Sequence, residues 1–341
     1  PPRCARSEWI SAIAPQSGEC TLAIGVESAD LVGLVSVRLG GSLRRWYGLM
    51  MLMGLLAVWS SPGIAASGEY SPPAGKDYPL NVYWGDTPLH TRNSADAYSL
   101  GNMNLTPADA YRFAQGQEVI AHNGMPVKLR RPLDFLVVSD HAEYLGGYYR
   151  FNVGDPLVVS TDAGHQWKGY LEEGNPAKLI GAFTASMADP QNNYSFPERT
   201  RRLIWRDVAM TADEYNRPGV FTAFTGYEWT SMIRGNNLHR VVIYRDSADK
   251  VAQLPPFSGQ DSLDPRELWA ALARYEAQTG GEVLAIAHNG NLSNGMMFPD
   301  QSVDGKPLTR DYAEQRARWE PLYEVCLLYT SPSPRDLIAH L

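Results

Sequence analysis

Short apolar segments that end in a histidine or an acidic residue recur along the chain, and they alternate with helical patterns. The apolar segments predict strands at Leu80–Trp84, Phe135–Val138, Val220–Thr225, Val241–Tyr244 and Val283–Ala287. An alternation of strands and helices is typical of an α/β fold. In such folds, side chains at the C-terminal ends of neighbouring parallel strands converge, so we expect the polar clusters to meet at one edge of a sheet.

Two helices have clear N-terminal caps. Thr106 precedes a helical segment that begins with Pro107, and Asp264 precedes another that begins with Pro265 and ends at Gly280. Threonine and aspartate side chains accept hydrogen bonds from the free N–H groups of a first helical turn, and proline is favoured at its first position. Residues 152–215 are polar with scattered aromatic side chains, and we predict a loop-rich insertion or lid there.

The charge balance and the cysteine content exclude several classes of protein. Among 341 residues there are 37 acidic and 30 basic ones, a formal net charge of −7, which disfavours a broad nucleic-acid interface. Three cysteines, at positions 4, 20 and 326, cannot form a disulfide scaffold and match no zinc-ribbon spacing. The segment 67–325 has no cysteine, which suits an exported protein.

The two ends of the chain carry patterns of their own. Arg44 and Arg45 precede an apolar run, Leu49–Trp59, and a small-residue exit near Ala66, as in a secretory signal. The run is shorter than the roughly 20 residues that span a bilayer, so we expect no stable membrane span after signal removal. We therefore expect upstream translation at 1–36, a signal peptide at 37–66, a flexible leader at 67–79, a domain at 80–325 and an artefactual tail, similar to translated sequencing adapter, at 326–341.

Histidines and carboxylates are concentrated at the ends of the predicted strands. A single histidine in such a place is more often structural, but several of them together with carboxylates favour a metal site. Imidazole and carboxylate ligands suit Zn, Mn or Fe, and a bridging carboxylate suits a site with more than one ion. His239 begins its strand and would reach the same edge only if that strand ran antiparallel. The predicted metal ligands are His90, Asp96, His141, Glu228, His239 and His288.

Three further residues near these ligands are expected to support the site. Asp86 and Asp140 are expected to hold the ligands in place rather than to bind metal. Arg240, beside His239, could clamp a phosphate oxygen, and a structural ion pair is the equal alternative.

Five motifs in order resemble the PHP (polymerase and histidinol phosphatase) superfamily, and most closely its bacterial branch filed as the domain-of-unknown-function family 3604. They are Gly-Asp-Thr-Pro-Leu-His-Thr (85–91), Val-Ser-Asp-His-Ala-Glu-Tyr-Leu-Gly (138–146), Thr-Gly-Tyr-Glu-Trp-Thr (225–230), Gly-Asn-Asn-Leu-His-Arg-Val-Val (235–242) and Ala-His-Asn-Gly-Asn-Leu-Ser-Asn-Gly (287–295). The resemblance implies a distorted (β/α)7 barrel that is incomplete at the C-terminus here, up to three metal ions, and phosphoester hydrolysis by a metal-activated water. It also implies that Glu228 bridges two ions and that Glu228 and His141 take part in catalysis. Arg240 is expected to take part as well, from its position beside His239.

Two departures from the superfamily pattern bear on activity. Pro88 stands where the first histidine of a His-x-His motif is expected, and the closing Asp-x-His motif is missing before residue 325. We therefore expect an exported metal-dependent hydrolase of a small-molecule phosphoester whose metal cluster is incomplete in this chain. The alternatives are a non-catalytic binding protein with a degenerate site and a metal-dependent amide or lactone hydrolase.

Overall fold

One mixed six-stranded sheet organises the computed structural model, which describes residues 81–324 apart from 176 and 189–194. In this part of the chain the sheet order is β1-β4-β5-β6-β7-β8, and β2 and β3 form a separate antiparallel pair. The strands are β1 (Gly85–Leu89), β2 (Val119–Ile120), β3 (Pro126–Val127), β4 (Phe135–Val138), β5 (Thr222–Trp229), β6 (Arg240–Tyr244), β7 (Val283–Ala287) and β8 (Leu322–Tyr323).

The direction of each strand determines which residues share an edge. β1, β4 and β5 pair in parallel, β6 is antiparallel to both of its neighbours, and β8 is parallel to β7. The C-terminal ends of β1, β4, β5, β7 and β8 therefore lie at the same edge as the N-terminal end of β6. We call this the site edge.

Helices surround the sheet and connect its strands. The helices of the described residues are α1 (Ala95–Ser99), α2 (Pro107–Ala114), α3 (Gly147–Asn152), α4 (Pro156–Val159), α5 (Asp162–Glu172), α6 (Ala177–Ala188), α7 (Glu198–Tyr215), α8 (Ala248–Val251), α9 (Pro265–Thr279) and α10 (Arg310–Trp319), with 3-10 turns at Ile233–Gly235 and Gly290–Leu292. The sheet is curled into a half-barrel. This confirms the α/β class, whereas the complete (β/α)7 barrel stays a prediction.

The main hydrophobic core lies between the outer face of the sheet and the helices. Tyr227 and Trp229 of β5 and Tyr244 of β6 are buried there with Trp205 of α7. Side chains alternate between the two faces of a strand. Glu228 lies between Tyr227 and Trp229 and therefore points to the opposite, inner face of the curled sheet.

Several predicted elements are confirmed. Strands β4 and β7 have the predicted bounds. Thr106 forms a capping box with Asp109, and the side chain of Asp264 accepts a hydrogen bond from the Arg266 N–H. Helix α9 continues to Thr279, where Gly280 ends it at a φ of +61°, a conformation that glycine adopts without strain.

Two expectations were wrong. The first strand begins at Gly85 rather than at Leu80, because Val82 is 68% exposed and the chain joins the sheet only where it pairs with β4. The segment 152–215 is mostly helical rather than loop-rich. Its polar residues lie outward, while Trp167 and Trp205 are fully buried on the inward sides of α5 and α7.

The ends of the chain lie outside the described residues. The predicted upstream segment, signal peptide and leader, and the predicted tail, fall within 1–80 and 325–341. None of the helices between residues 81 and 324 combines the length and the apolar character that crossing a bilayer requires.

Candidate metal centre

The site edge brings together side chains from five strands. His90 follows β1, His141 lies beyond the end of β4, Glu228 is the penultimate residue of β5, and His288 follows β7. His239 directly precedes β6 and reaches the same edge because that strand runs antiparallel to β5 and β7.

The carboxylate of Glu228 is the centre of this cluster. Its Oε2 lies 2.8 Å from His90 Nε2, and its Oε1 lies 2.5 Å from His239 Nδ1 and 3.1 Å from His288 Nε2. His141 Nδ1 is 3.8 Å from Oε1. Within the described residues, two groups offer ligand atoms within 4.8 Å of one another, His90–His141–Glu228 and Glu228–His239–His288. Glu228 belongs to both.

Asp96 extends the first of these groups. Both of its carboxylate oxygens lie 3.2 Å from His90 Nδ1, and Oδ2 lies 3.5 Å from His141 Nε2. The buried hydroxyl of Ser94 donates a hydrogen bond to Asp96 at 2.6 Å and accepts one from the His141 N–H. Ser94 therefore fixes the positions of two predicted ligands.

Burial and mutual charge shift the pKa values of the cluster in opposite directions. Burial alone would raise the pKa of Glu228, but the surrounding histidines outweigh it and hold that pKa well below its usual range. Burial would lower the pKa of His90, and Asp96 and Glu228 raise it well above its usual value instead. For His239 burial prevails and lowers the pKa to about 4. His239 is therefore a neutral imidazole with a free lone pair at neutral pH.

The donor set fits transition-metal ions. The ring nitrogens that face Glu228 are His239 Nδ1 and His288 Nε2, and the other nitrogen of each ring is buried without a hydrogen-bond partner. Between residues 81 and 324, no lysine or arginine forms an ion pair with Glu228 or Asp96. A buried acid, Glu228, and a partly exposed one, Asp96, thus face imidazoles without a permanent cation, a set whose charge a bound metal ion could neutralise.

The two predicted supporting acids lie in different surroundings. Asp140 accepts hydrogen bonds from the backbone N–H of Thr91 at 2.5 Å and from its hydroxyl at 2.8 Å, which anchors the residue after His90. Burial raises the pKa of Asp140 to about 6. Asp86 accepts a hydrogen bond from the Thr87 N–H at 2.8 Å, and burial raises its pKa as well.

The predicted phosphate-clamping role of Arg240 is corrected by the structure. Arg240 pairs with Trp229 across the β5–β6 ladder, and because strand residues alternate, its side chain points to the helix-covered face. Its Nε lies 2.9 Å from Glu320 Oε1, and both side chains are 1% exposed. Arg240 therefore forms a structural ion pair, which was the alternative left open.

Pro88 lies at an irregularity in the sheet. Between Asp86 and Leu89, β1 advances by one residue more than β4, which is the signature of a bulge. Proline has no N–H to donate to a ladder and is found at bulges and on edge strands, and β1 is one of the two edge strands of the described sheet.

Sequence reasoning missed several residues around the centre. Glu143 and Thr230 lie within quoted motifs but received no role, although both are fully buried beside His141. Glu324 follows β8, and burial raises its pKa to about 7. The two-residue apolar strand before Glu324 was too short to be noticed. Like most of the predicted ligands, Glu324 lies at the C-terminal end of an apolar strand.

Comparison with known proteins gives one result. No curated protein and no solved structure matches the chain. The family model described as "Protein of unknown function (DUF3604)" matches residues 77–328, which include β1 to β8 and every residue of the centre. The chain therefore belongs to the DUF3604 family of proteins of unknown function.

Proposed function

We propose that the protein is a metal-dependent hydrolase of PHP type that cleaves a small-molecule phosphoester. The single observation that carries this proposal is the position of Glu228, whose two carboxylate oxygens face histidines of opposite groups. A carboxylate shared in this way suits two neighbouring ions, an arrangement common among phosphoester hydrolases. The PHP relationship and the complete barrel are part of the proposal.

The residues of the chain would form two metal-binding subsites. His90, His141 and Asp96 would hold one ion, His239 and His288 the other, and Glu228 both. Divalent ions bound there would lower the pKa of coordinated water to near neutrality and stabilise charge on a phosphoryl group. The burial of Glu228, His239 and His288 excludes bulk solvent, which strengthens electrostatic interactions with a bound anion.

An arginine close to the first group is suited to bind a substrate anion. Arg92 lies two residues after His90, and its guanidinium stacks on the ring of Tyr149 at 3.6 Å from the ring centroid. It forms no ion pair with any of the described acids, and its buried Nε has no hydrogen-bond partner. Because Arg240 is committed to Glu320, Arg92 is our candidate for this role.

Metal content and turnover, measured on the same preparations, test the proposal. The full chain is stripped with a chelator and reloaded with Zn, Mn or Fe, and its metal content and hydrolysis of an aryl phosphate are recorded. The matched control for Glu228→Gln is Asp246→Asn, because Asp246 accepts hydrogen bonds from the Glu282 N–H and the Tyr275 hydroxyl at the opposite edge of the sheet.

Each outcome selects one function. Metal with phosphatase activity, both lost in Glu228→Gln and kept in Asp246→Asn, would support the proposal. Metal with activity only on aryl amides or lactones would favour that class of hydrolase instead. Metal without turnover on any of these would favour a binding protein, for which Pro88 in place of a ligand is the supporting observation.

We also propose that the protein is exported and that it acts on small molecules rather than on nucleic acid. The basic pair Arg44–Arg45 before the apolar run Leu49–Trp59 supports export, and the net charge of −7 disfavours nucleic acid. Cell fractionation with N-terminal sequencing of the mature protein tests export, and a mature chain that retained residues 49–59 in the cytoplasm would contradict it.

A further inference from the structure

Glu143 is a fully buried carboxylate that lies behind the metal centre rather than in it. Its Oε1 accepts a hydrogen bond from the Gly259 N–H at 2.5 Å and a longer one from the Thr230 N–H at 3.3 Å. Its Oε2 has no hydrogen-bond partner and lies 3.9 Å from His141 Nδ1. A buried carboxylate with a free oxygen is costly unless a positive or polarised group compensates it.

A polarised group within reach of this oxygen is His141 Nδ1. His141 Nδ1 lies 2.5 Å from the hydroxyl of Thr230, the residue whose backbone N–H also donates to Glu143. The other ring nitrogen, Nε2, faces the carboxylate of Asp96 at 3.5 Å. The two nitrogens of His141 therefore have different partners. Nδ1 meets the Thr230 hydroxyl and lies between two carboxylates, Glu143 Oε2 and, at 3.8 Å, Glu228 Oε1, whereas Nε2 meets Asp96.

The loop around Gly259 holds Glu143 in this position. A Cβ at residue 259 would lie 2.2 Å from the Thr230 carbonyl oxygen and 3.1 Å from Glu143 Oε1, so only glycine allows the loop to approach. The same loop is fixed from its other side, because Asp261 accepts hydrogen bonds from Ser258 and forms an ion pair with Arg201 of α7.

We infer that Glu143 is a positioning residue for His141. Together with the Thr230 hydroxyl it keeps the proton of the neutral imidazole on Nδ1 and leaves the Nε2 lone pair directed into the first metal group. Acids behind metal-binding histidines orient the ring and increase its basicity as a ligand, and their loss typically weakens metal affinity about 10- to 100-fold. The inference rests on the proposed function only in that His141 is taken as a metal ligand.

Two variants of the full chain test this role by metal affinity. Glu143→Gln keeps the size of the side chain and an acceptor for Gly259 but removes the charge, and Thr230→Val removes the hydroxyl without changing the shape. We expect each variant to bind one of the Zn²⁺ equivalents about 10- to 100-fold more weakly in competition with a chromogenic chelator. The other equivalent should weaken less, through Glu228 alone, which belongs to both groups. Thr230→Ser restores a hydroxyl and should recover most of the affinity. A residue that only supported the fold would not show this dependence on the hydroxyl.

A second measurement needs no metal at all. In the chelator-treated protein at alkaline pH, ¹⁵N shifts of the His141 ring should show the proton on Nδ1, and in Thr230→Val a mixture of the two tautomers. Asp246→Asn serves as the control for any general loss of stability. Wild-type-like affinity together with wild-type-like ring shifts in both variants would overturn the inference. Absence of phosphatase activity in the wild-type protein, with the expected changes in affinity and ring shifts in the variants, would count against the proposed reaction alone.

Discussion

Two buried acids lie on opposite sides of the sheet, Glu228 in β5 and Glu320 directly after helix α10, and the chemistry of their partners differs. Glu228 on the inner face is surrounded by four imidazoles, which we call the Glu228 cluster. On the outer face the Glu320 cluster joins Glu320 to Arg240, to Arg316 at 3.2 Å and to the Trp269 N–H at 2.8 Å.

The partners determine what each acid can do. Guanidinium groups stay charged at every physiological pH, so the Glu320 carboxylate is neutralised permanently and no further cation is needed. Imidazoles can give up their protons and offer lone pairs, so the Glu228 carboxylate can exchange its proton-bearing partners for metal ions. Burial of an acid therefore says little about function until the chemistry of its partners is known.

The largest effect is expected at Glu228. Replacing Glu228 by Gln should abolish binding of both metal equivalents and reduce turnover at least about 1,000-fold, roughly 4 kcal/mol of barrier. His141→Ala should remove one metal equivalent and most of the activity in the same way. Elemental analysis and aryl-phosphate kinetics on the purified variants check this. Full metal stoichiometry in Glu228→Gln would mean that the Glu228 carboxylate is not needed for metal binding, so the two clusters would not differ in this respect.

The opposite result is expected for the Glu320 cluster. Glu320→Gln leaves the guanidinium of Arg240 buried without its acid, which should cost about 3 to 5 kcal/mol of unfolding free energy. Metal stoichiometry and affinity of the folded fraction should not change. Urea unfolding and metal titration of the same sample measure the two properties.

The double variant Arg240→Met/Glu320→Leu is the control for that result. It removes both charges, and apolar replacement of a buried ion pair is often neutral or stabilising, so most of the lost stability should return. Loss of metal in this double variant would mean that Arg240 serves the centre after all.

A smaller gain is expected from placing an imidazole at position 88, where the PHP pattern of the proposed function has a histidine. Pro88→His should raise metal occupancy by about one ion per chain and turnover at least about tenfold, which corresponds to roughly 1.4 kcal/mol. Position 88 lies at a bulge, so the new ring can bind metal only if this irregular part of the strand directs it to the inner face. Equal occupancy and equal rates would show that position 88 is not a ligand position.

The smallest effect concerns pH and only the Glu228 cluster. In the metal-free protein the pKa values of His90 and His141 are raised, because nearby acids outweigh burial. Their contribution to the free energy of unfolding is complete below the pKa of about 6.5 that histidine has in the unfolded chain. It is lost as the pH rises through the raised pKa values of the folded protein. Stability should therefore fall by on the order of 1 kcal/mol above neutral pH.

Metal should reverse this trend. Ligands bind ions in their deprotonated form, so stabilisation by Mn²⁺ should increase with pH over the same range. Chemical unfolding between pH 6 and 8.5, with chelator and with saturating Mn²⁺, gives the two slopes. Slopes of the same sign would indicate that these histidines do not bind the ion.

Local patterns predicted much of the scaffold and the residues that converge at the site edge. Strands β4 and β7 and the starts of α2 and α9 depend on short runs and caps that are complete in themselves. The placement of His239 also followed from the sequence, since it required only that β6 run antiparallel.

What could not be predicted depends on contacts between distant parts of the chain. The orientation of Arg240 depends on the β5–β6 register and on Glu320, 80 residues further along. The environment of Glu143 depends on Gly259, 116 residues away. The helices of 152–215 were hidden because a few buried aromatic residues, rather than a regular apolar stripe, hold them to the core.

The shared carboxylate of Glu228 has a thermodynamic consequence. Because one side chain belongs to both candidate groups, an ion bound in either group would change the free energy of binding in the other, and this coupling would be reciprocal. The two equivalents should therefore not titrate as independent sites. Measured loading curves would depend on which group fills first. The coupling, rather than either affinity alone, would then set the range of metal concentration over which the centre goes from empty to fully loaded.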